Sequence, residues 1–179
     1  MYDLAGGDIG WANRKRKAAS RDPRERYVEI ADRLCQRGWF GQKTGRGFYL
    51  YEQGSRIGIE DPEVLEIING ERSTKGIRAR EHSPEEIIRR YLGAMVNEAA
   101  KVLEEKVARC PSDIDVVQHY GYGFPRYRGG PMKYADMYGI RKIVEDIEEF
   151  SVEDPFFWNP SELLKTMAAQ GQTFEDLNQ

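Results

Sequence analysis

Cysteine is scarce in this chain. Two thiols, Cys35 and Cys110, occur in 179 residues, too few for a disulfide framework, and both are expected as buried thiols in a reducing compartment. No apolar run approaches the ~20 residues that a membrane-crossing helix needs. The opening Met-Tyr-Asp-Leu-Ala-Gly lacks a basic stretch followed by an apolar core, so no secretory signal is expected; it reads as a chain opened mid-domain. Excess positive charge is missing too. Lys and Arg number 27 against 30 Asp and Glu, a net charge of −3, which argues against a dedicated nucleic-acid binder. A nucleotide-phosphate loop is also absent. Gly41-Gln42-Lys43-Thr44-Gly45 places Lys-Thr before the second glycine, and Phe48-Tyr49-Leu50-Tyr51 follows as an extended aromatic stretch where such a loop would open a helix. A packed turn and a short strand are expected there.

What is present is helical text around one dense corner. Between Gly121 and Pro131 stand four glycines and two prolines, interleaved with aromatics and arginines. Gly permits positive φ and close backbone approach, while Pro fixes φ and pushes its predecessor extended. Gly121, Tyr122, Gly123, Phe124, Pro125, Gly129, Gly130 and Pro131 therefore read as a shaped corner between two helices. Tyr122, Phe124 and Tyr127 are expected to pack between a central helix and the helix opening at Pro131.

Helices are expected over 3–19, ending in the cationic run Arg14 to Lys17, and over 27–37, stopped by Gly38. The basic stretch up to Arg26 is either a solvated helix end or a contact for an anionic ligand or acidic partner. Asp61-Pro62 opens a further helix, with 69–82 as a charged linker. Ser83-Pro84-Glu85-Glu86 is a capping box that starts the longest helix, to about Lys106. Its stripe from Ile87 to Leu103 is broad enough for a central helix. Asn97 and Glu98 are read there as a polar flank, with an inter-domain hydrogen bond as the alternative. Ser112 to Asp115 caps a short helix before the corner. Beyond it lie helices over 131–138 and 140–150, the second with Glu145, Asp146, Glu148 and Glu149 on a solvated face. A last helix, capped by Asn159 with Pro160 at its first position, stops at Gly171. Asp3 to Gly6 and Asp136 to Gly139 share Asp-x-x-Gly before an apolar helix, and an aromatic turn follows further on, a faint internal repeat.

Asn97-Glu98-Ala99-Ala100 with Leu103-Glu104-Glu105, Asp113-Ile114-Asp115, Gly121 to Pro125 and Gly129-Gly130-Pro131 resemble the C-terminal domain of 3-hydroxyacyl-CoA dehydrogenases. Asp3 to Trp11 and Phe40 to Tyr49 look like a preceding copy of the same domain. Tandem copies of this kind are typical of multifunctional fatty-acid oxidation enzymes that also carry an enoyl-CoA hydratase part. The resemblance implies an all-α helical bundle: residues 1–51 as a truncated first copy, 52–82 as a connector with one helix, and 83–179 as a complete second copy.

The resemblance implies a parent that oxidises 3-hydroxyacyl-CoA with NAD, in the cytoplasm of a bacterium or in a peroxisome. The NAD-binding Gly-x-Gly-x-x-Gly turn and the family's catalytic His and Glu belong to a Rossmann domain that is not in this sequence. Neither His82 nor His119 lies in the family's catalytic motif. No catalytic residue, cofactor site or metal site is therefore expected within these residues, and the parent's Rossmann and hydratase domains are the expected partners, with a homodimer as a further possibility. The alternative is a stand-alone CoA- or anion-binding protein, using Arg14, Arg16, Lys43, Arg126 and Arg128.

Overall fold

The computed structural model describes residues 2–178, which divide into two compact units, one ending at Glu81 and one starting at His82. The architecture is all-α, as expected.

In the second unit, α5 (Pro84–Glu104) is the central helix. Its start follows from the capping box: the Ser83 hydroxyl accepts from the Glu86 N–H at 3.1 Å, and Pro84 occupies the first position, where no N–H is needed. Leu92, Val96, Ala99 and Ala100 are buried along it. Around it lie α6 (Pro111–Tyr122), α7 (Pro131–Tyr138), α8 (Ile140–Ser151) and α9 (Glu162–Gln170), of which α7, α8 and α9 pack on α5. Ile140, Ile143, Val144, Ile147 and Phe150 recur every three or four residues and turn one face of α8 inward. They close a single core with Met132, Trp158, Leu164, Met167 and Phe174. Each such side chain contributes about 1.5–3 kcal/mol on burial.

Three expectations are corrected here. Asn97 is a buried bridge rather than a polar flank: its amide donates to the Asn159 carbonyl at 2.9 Å and its oxygen accepts from the Ser161 N–H at 2.8 Å. That bridge places the start of the last helix two residues later than expected, so the cap is Ser161, whose hydroxyl accepts from the Leu164 N–H. The supposed solvated face of α8 includes Asp146, which is buried and accepts from Arg89 at 2.6 Å and from the Tyr138 hydroxyl at 2.8 Å. A buried carboxylate needs such partners.

The first unit contains α1 (Tyr2–Ala5), α2 (Gly7–Lys17), α3 (Ile30–Gln36) and α4 (Pro62–Thr74). The expected helix over 3–19 is broken at Gly6, whose φ of 91° a side chain would resist. The expected start at Tyr27 moves to Ile30, because Glu71 takes the Glu29 N–H at 3.0 Å and Tyr27 turns away to donate to Asp32. Helix α4 runs on through Gly70 to Thr74, into the segment read as linker, because Glu71 is buried and tied to Lys75 and to the Glu29 N–H. The expected strand at 48–51 is reduced to isolated bridges, Arg46 with Leu50 and Leu50 with Ile59. Its donors are already used: Asp3 accepts from the N–H groups of Phe48 and Tyr49.

Candidate functional site

The corner in the second unit is built from a helix stop, a tight turn and a helix start. Gly123, at φ 68°, ends α6 in the left-handed conformation, and the Phe124 N–H bonds back to the Gln118 carbonyl at 3.0 Å. A 3-10 turn covers Arg126–Arg128 and closes on Gly129. Then α7 starts at Pro131 with its first N–H groups facing Asp115 of α6. The carboxylate accepts from Met132 at 2.8 Å and Lys133 at 3.0 Å, an anion at the positive end of a helix. Burial pushes the Asp115 carboxyl upward, against the pull of these two N–H groups. Gly130 has φ 94°, and a Cβ there would collide with the Asp115 carboxylate. Asp115 and Gly130 thus form a complementary pair.

Two corrections follow for this stretch. Gly121 lies within α6, with open space around any added Cβ, so it does not turn the chain. Of the three aromatics expected to pack inside, only Phe124 is buried, at 7% exposure, while Tyr122 and Tyr127 are 76% and 80% exposed. Helix α6 turns the Tyr122 side chain outward, and the 3-10 turn does the same for Tyr127.

Those exposed rings stand beside apolar clefts. One cavity of about 360 Å³ is lined by Ile87, Ile88, Tyr91 and Phe124, and another of about 860 Å³ by Ala99, Val102, Val116 and Val117. Met95, Gln118 and Tyr122 line both, so the two are continuous along α5 and α6. Arg128 stands in the lining of the first and Arg109 in that of the second.

The expected cationic contacts are divided between the two units. Arg14 pairs with Asp32 at 2.6 Å and Lys43 with Asp8 at 2.6 Å. Arg16 donates to Asn13 at 2.9 Å. Arg14 and Arg16 do meet Lys17 and Arg21 in a cleft of about 510 Å³, which Asp22 and Glu25 also line. Lys43 is not part of that lining. Arg126 and Arg128 belong to the second unit, beside Tyr120 at 5.6 Å and Tyr127 at 5.4 Å.

The histidines have local structural partners: His82 lies 3.1 Å from the Glu86 carboxylate, and Nδ1 of His119 lies 3.2 Å from the Phe124 carbonyl. Burial and the bond to Asp146 push the Tyr138 hydroxyl up to about 12. Among the described residues, no group of three or more His, Cys, Asp or Glu is placed to hold a metal ion. No described helix is long and apolar enough to cross a membrane.

Sequence reasoning gave Asn97 a hydrogen bond only as an alternative and missed Asp115, Asp3 and Asp136 as organising side chains. The shared Asp-x-x-Gly pattern was a signal for the last two. Nothing local marked the role of Asp115.

The model of the 3-hydroxyacyl-CoA dehydrogenase C-terminal domain matches residues 1–51 and 87–176. The peroxisomal bifunctional enzyme of Danio rerio is 42% identical over 185 residues, covering 96% of this chain and 26% of that protein. Its counterpart from Homo sapiens is 39% identical, again over 96% of this chain and 26% of that protein. The chain thus spans about a quarter of the length of these curated relatives. Among solved structures, 3-hydroxybutyryl-CoA dehydrogenase from Escherichia coli K12 matches in fold, with a TM-score of 0.66 at 17% identity, over 94% of this chain and 50% of that one.

Proposed function

The chain belongs to the family of 3-hydroxyacyl-CoA dehydrogenase C-terminal domains, and we propose that it is the helical, non-catalytic part of a multifunctional β-oxidation enzyme. The parent oxidises 3-hydroxyacyl-CoA to 3-ketoacyl-CoA with NAD and carries an enoyl-CoA hydratase part. It works in a peroxisome or in bacterial cytoplasm. In this reading residues 1–51 are a truncated first copy of the domain, 52–82 a connector with one helix, and 83–179 a second copy.

The observation that carries the reading is the continuous apolar cleft along α5 and α6. It leaves Tyr91, Val117 and Tyr122 at 64%, 55% and 76% exposure. Apolar surface of this extent is what a protein covers by association. The partner domains are the Rossmann and hydratase parts of the same enzyme. Packing there walls the dehydrogenase cleft and orients the acyl-CoA without supplying a reacting atom. NAD is assigned to the Rossmann part. The described residues hold no strand, glycine turn and helix in sequence that would cradle a pyrophosphate, so they do not fit the cofactor.

The test is direct. The purified chain neither binds NADH nor reduces acetoacetyl-CoA, and adding the Rossmann-containing remainder of the parent restores turnover in proportion to complex formed. Turnover by the chain alone would overturn the reading.

A second reading is favoured by one feature, the cleft where Arg14, Arg16, Lys17 and Arg21 meet. In it the chain itself binds CoA through its phosphates. Calorimetry decides: micromolar, salt-sensitive CoA binding, lost on charge reversal at Arg14 and Arg16, supports it, and no heat of binding removes it.

A further inference from the structure

The first unit contains a cavity of a different kind. It measures about 390 Å³ and lies between α1, the turn at 48–51 and the start of α4. Four aromatic rings line it: Tyr2, Phe48, Tyr49 and Tyr51. Three carboxylates, Asp3, Glu60 and Asp61, complete the polar lining, and no Lys, Arg or His is among its lining residues.

The three carboxylates differ in their surroundings. Asp61 is neutralised by Arg46, whose Nε donates at 2.7 Å. Glu60 is exposed at the mouth. Asp3 is the unusual one. It is only 6% exposed, and it accepts from the N–H groups of Phe48 and Tyr49 and from the Tyr51 hydroxyl, at 3.0, 3.1 and 2.9 Å. These are dipoles. They satisfy the lone pairs but bring no positive charge. The other buried carboxylates, Asp146 and Glu71, each have a basic side chain within salt-bridge distance. Among the described residues, none pairs with Asp3.

A cavity walled by aromatic rings, carrying a carboxylate that pairs with no basic side chain among the described residues, is complementary to an organic cation. Ring quadrupoles attract a cation over their faces, and the attraction grows as water is excluded. A carboxylate adds a Coulombic pull that is stronger beside a protein wall than in bulk water. Arg and Lys of this unit already use the same attraction: Arg46 lies 3.5 Å over Trp39, Arg21 3.4 Å over Tyr27 and Lys15 3.6 Å over Trp11. We propose that this aromatic, carboxylate-lined cavity of the first unit binds an alkylammonium group. The group comes either from a free small molecule or from the end of a lysine side chain. The site is independent of the β-oxidation reading, which places no cation here.

The test uses the chain as it is, labelled with ¹⁵N. The probes are choline, its neutral isostere 3,3-dimethylbutan-1-ol, and the tripeptide acetyl-Gly-Lys-Gly-amide. The Phe48 and Tyr49 amides bond directly to Asp3 and report occupancy. The Phe174 and Glu175 amides, held by Asp136 in the second unit, are the internal control. Choline or the lysine peptide is expected to shift the Phe48 and Tyr49 amides saturably in the millimolar range, and to leave the control amides still. The tighter of the two identifies the source of the ammonium. The neutral isostere is expected to bind at least about fivefold more weakly, the loss of one cation–π and charge contribution. Tyr49→Ala and Glu60→Gln, both at positions open to solvent, are each expected to weaken choline by a few-fold. Equal binding of the neutral isostere, or no saturable shift with either cation up to about 50 mM, overturns the proposal. The comparison of probes on the unaltered chain stands even if a variant misfolds.

Discussion

Asp3 and Asp136 do the same work at matching places in the two units. Asp3 accepts from the successive N–H groups of Phe48 and Tyr49 at 3.0 and 3.1 Å, and Asp136 from those of Phe174 and Glu175 at 2.7 and 3.0 Å. Three residues after each stands a glycine of nearly identical conformation, Gly6 at φ 91° and ψ 127°, Gly139 at φ 104° and ψ 120°. An apolar-faced or mixed helix follows, then a shorter helix stopped by Gly38 or Gly171 at φ 77° or 67°. Each aspartate clasps a segment 45 or 38 residues further along the chain. This correspondence supports the proposal that 1–51 and 83–179 derive from one domain. It also makes Phe48 the counterpart of Phe174.

Replacing either aspartate should therefore loosen its own unit. Asp136→Ala leaves two backbone donors without their acceptor and is expected to cost about 2–4 kcal/mol, with Asp136→Asn intermediate. Amide exchange locates the effect: Phe174 and Glu175 lose protection in Asp136→Ala, whereas Phe48 and Tyr49 lose it in Asp3→Ala.

The corner glycines should rank by their surroundings. Gly130→Ala meets both a positive φ and the Asp115 carboxylate, so a loss of about 3 kcal/mol or more is expected. Gly123→Ala meets only the strain of a left-handed conformation, in open space, and should cost about 1–2 kcal/mol. Gly121→Ala, within α6 and unobstructed, should be neutral or stabilising by up to about 1 kcal/mol. Urea unfolding of the three variants checks the order.

Asn97→Ala should free the start of α9. It removes the acceptor of the Ser161 N–H and the donor to the Asn159 carbonyl, at an expected cost of about 2–4 kcal/mol for a buried pair of bonds. The Ser161 amide should show the largest gain in exchange rate, and an unchanged rate there would sink this account.

Acid should act with opposite sign on Asp61 and Glu71 of the first unit and on Asp115 of the second. In the first unit, the hydrogen bond from Arg46 holds Asp61 below the usual carboxylate range, and the Glu29 N–H followed by Lys75 does the same for Glu71. Their folded values are depressed, so their contribution is present above the ordinary unfolded values of about 4 and is lost as pH falls through the lower folded ones. In the second unit, burial raises Asp115. Its contribution is fully present below about 3.9, the ordinary Asp value, and is lost as pH rises through the raised folded value. Unfolding followed at pH 5, 4 and 3 with reporters in each unit should show these carboxylates weakening the first unit more steeply. Asp61→Asn should flatten its pH dependence.

The apolar cleft should matter for assembly and little for folding. Val117→Lys changes a side chain that is 55% exposed, so the melting temperature of the chain should stay within a few degrees. Reconstitution with the Rossmann-containing remainder should weaken by tenfold or more. Restored turnover at unchanged affinity would show that other residues form the contact.

Helix existence was written in local chemistry. Ser83-Pro84 with Glu86, Asp61-Pro62 and Pro131 after Gly130 announce their helices because a cap or an N-terminal proline acts within four residues. The stripe of α5 and the apolar period of α8 likewise declare one buried face each. The ordered motifs carried the family with them. What local chemistry left open was which polar side chains turn inward. Asn97, Asp115, Asp146 and Glu71 look on paper like surface residues, and each is buried or half-buried because it meets a partner from another element: Ser161, Met132, Arg89 and Glu29. A polar group enters a core only where a distant donor or acceptor offsets its lost hydration, and that condition lies in the packing. The same holds for the aromatics. Spacing marked Tyr122, Phe124 and Tyr127 as a group, but the end of α6 and the turn after it sent one ring inward and two out. Sequence determined that these helices exist, most of their starts, and their lineage. Tertiary structure decided which carboxylates clasp which amides, and which apolar faces remain open to a partner.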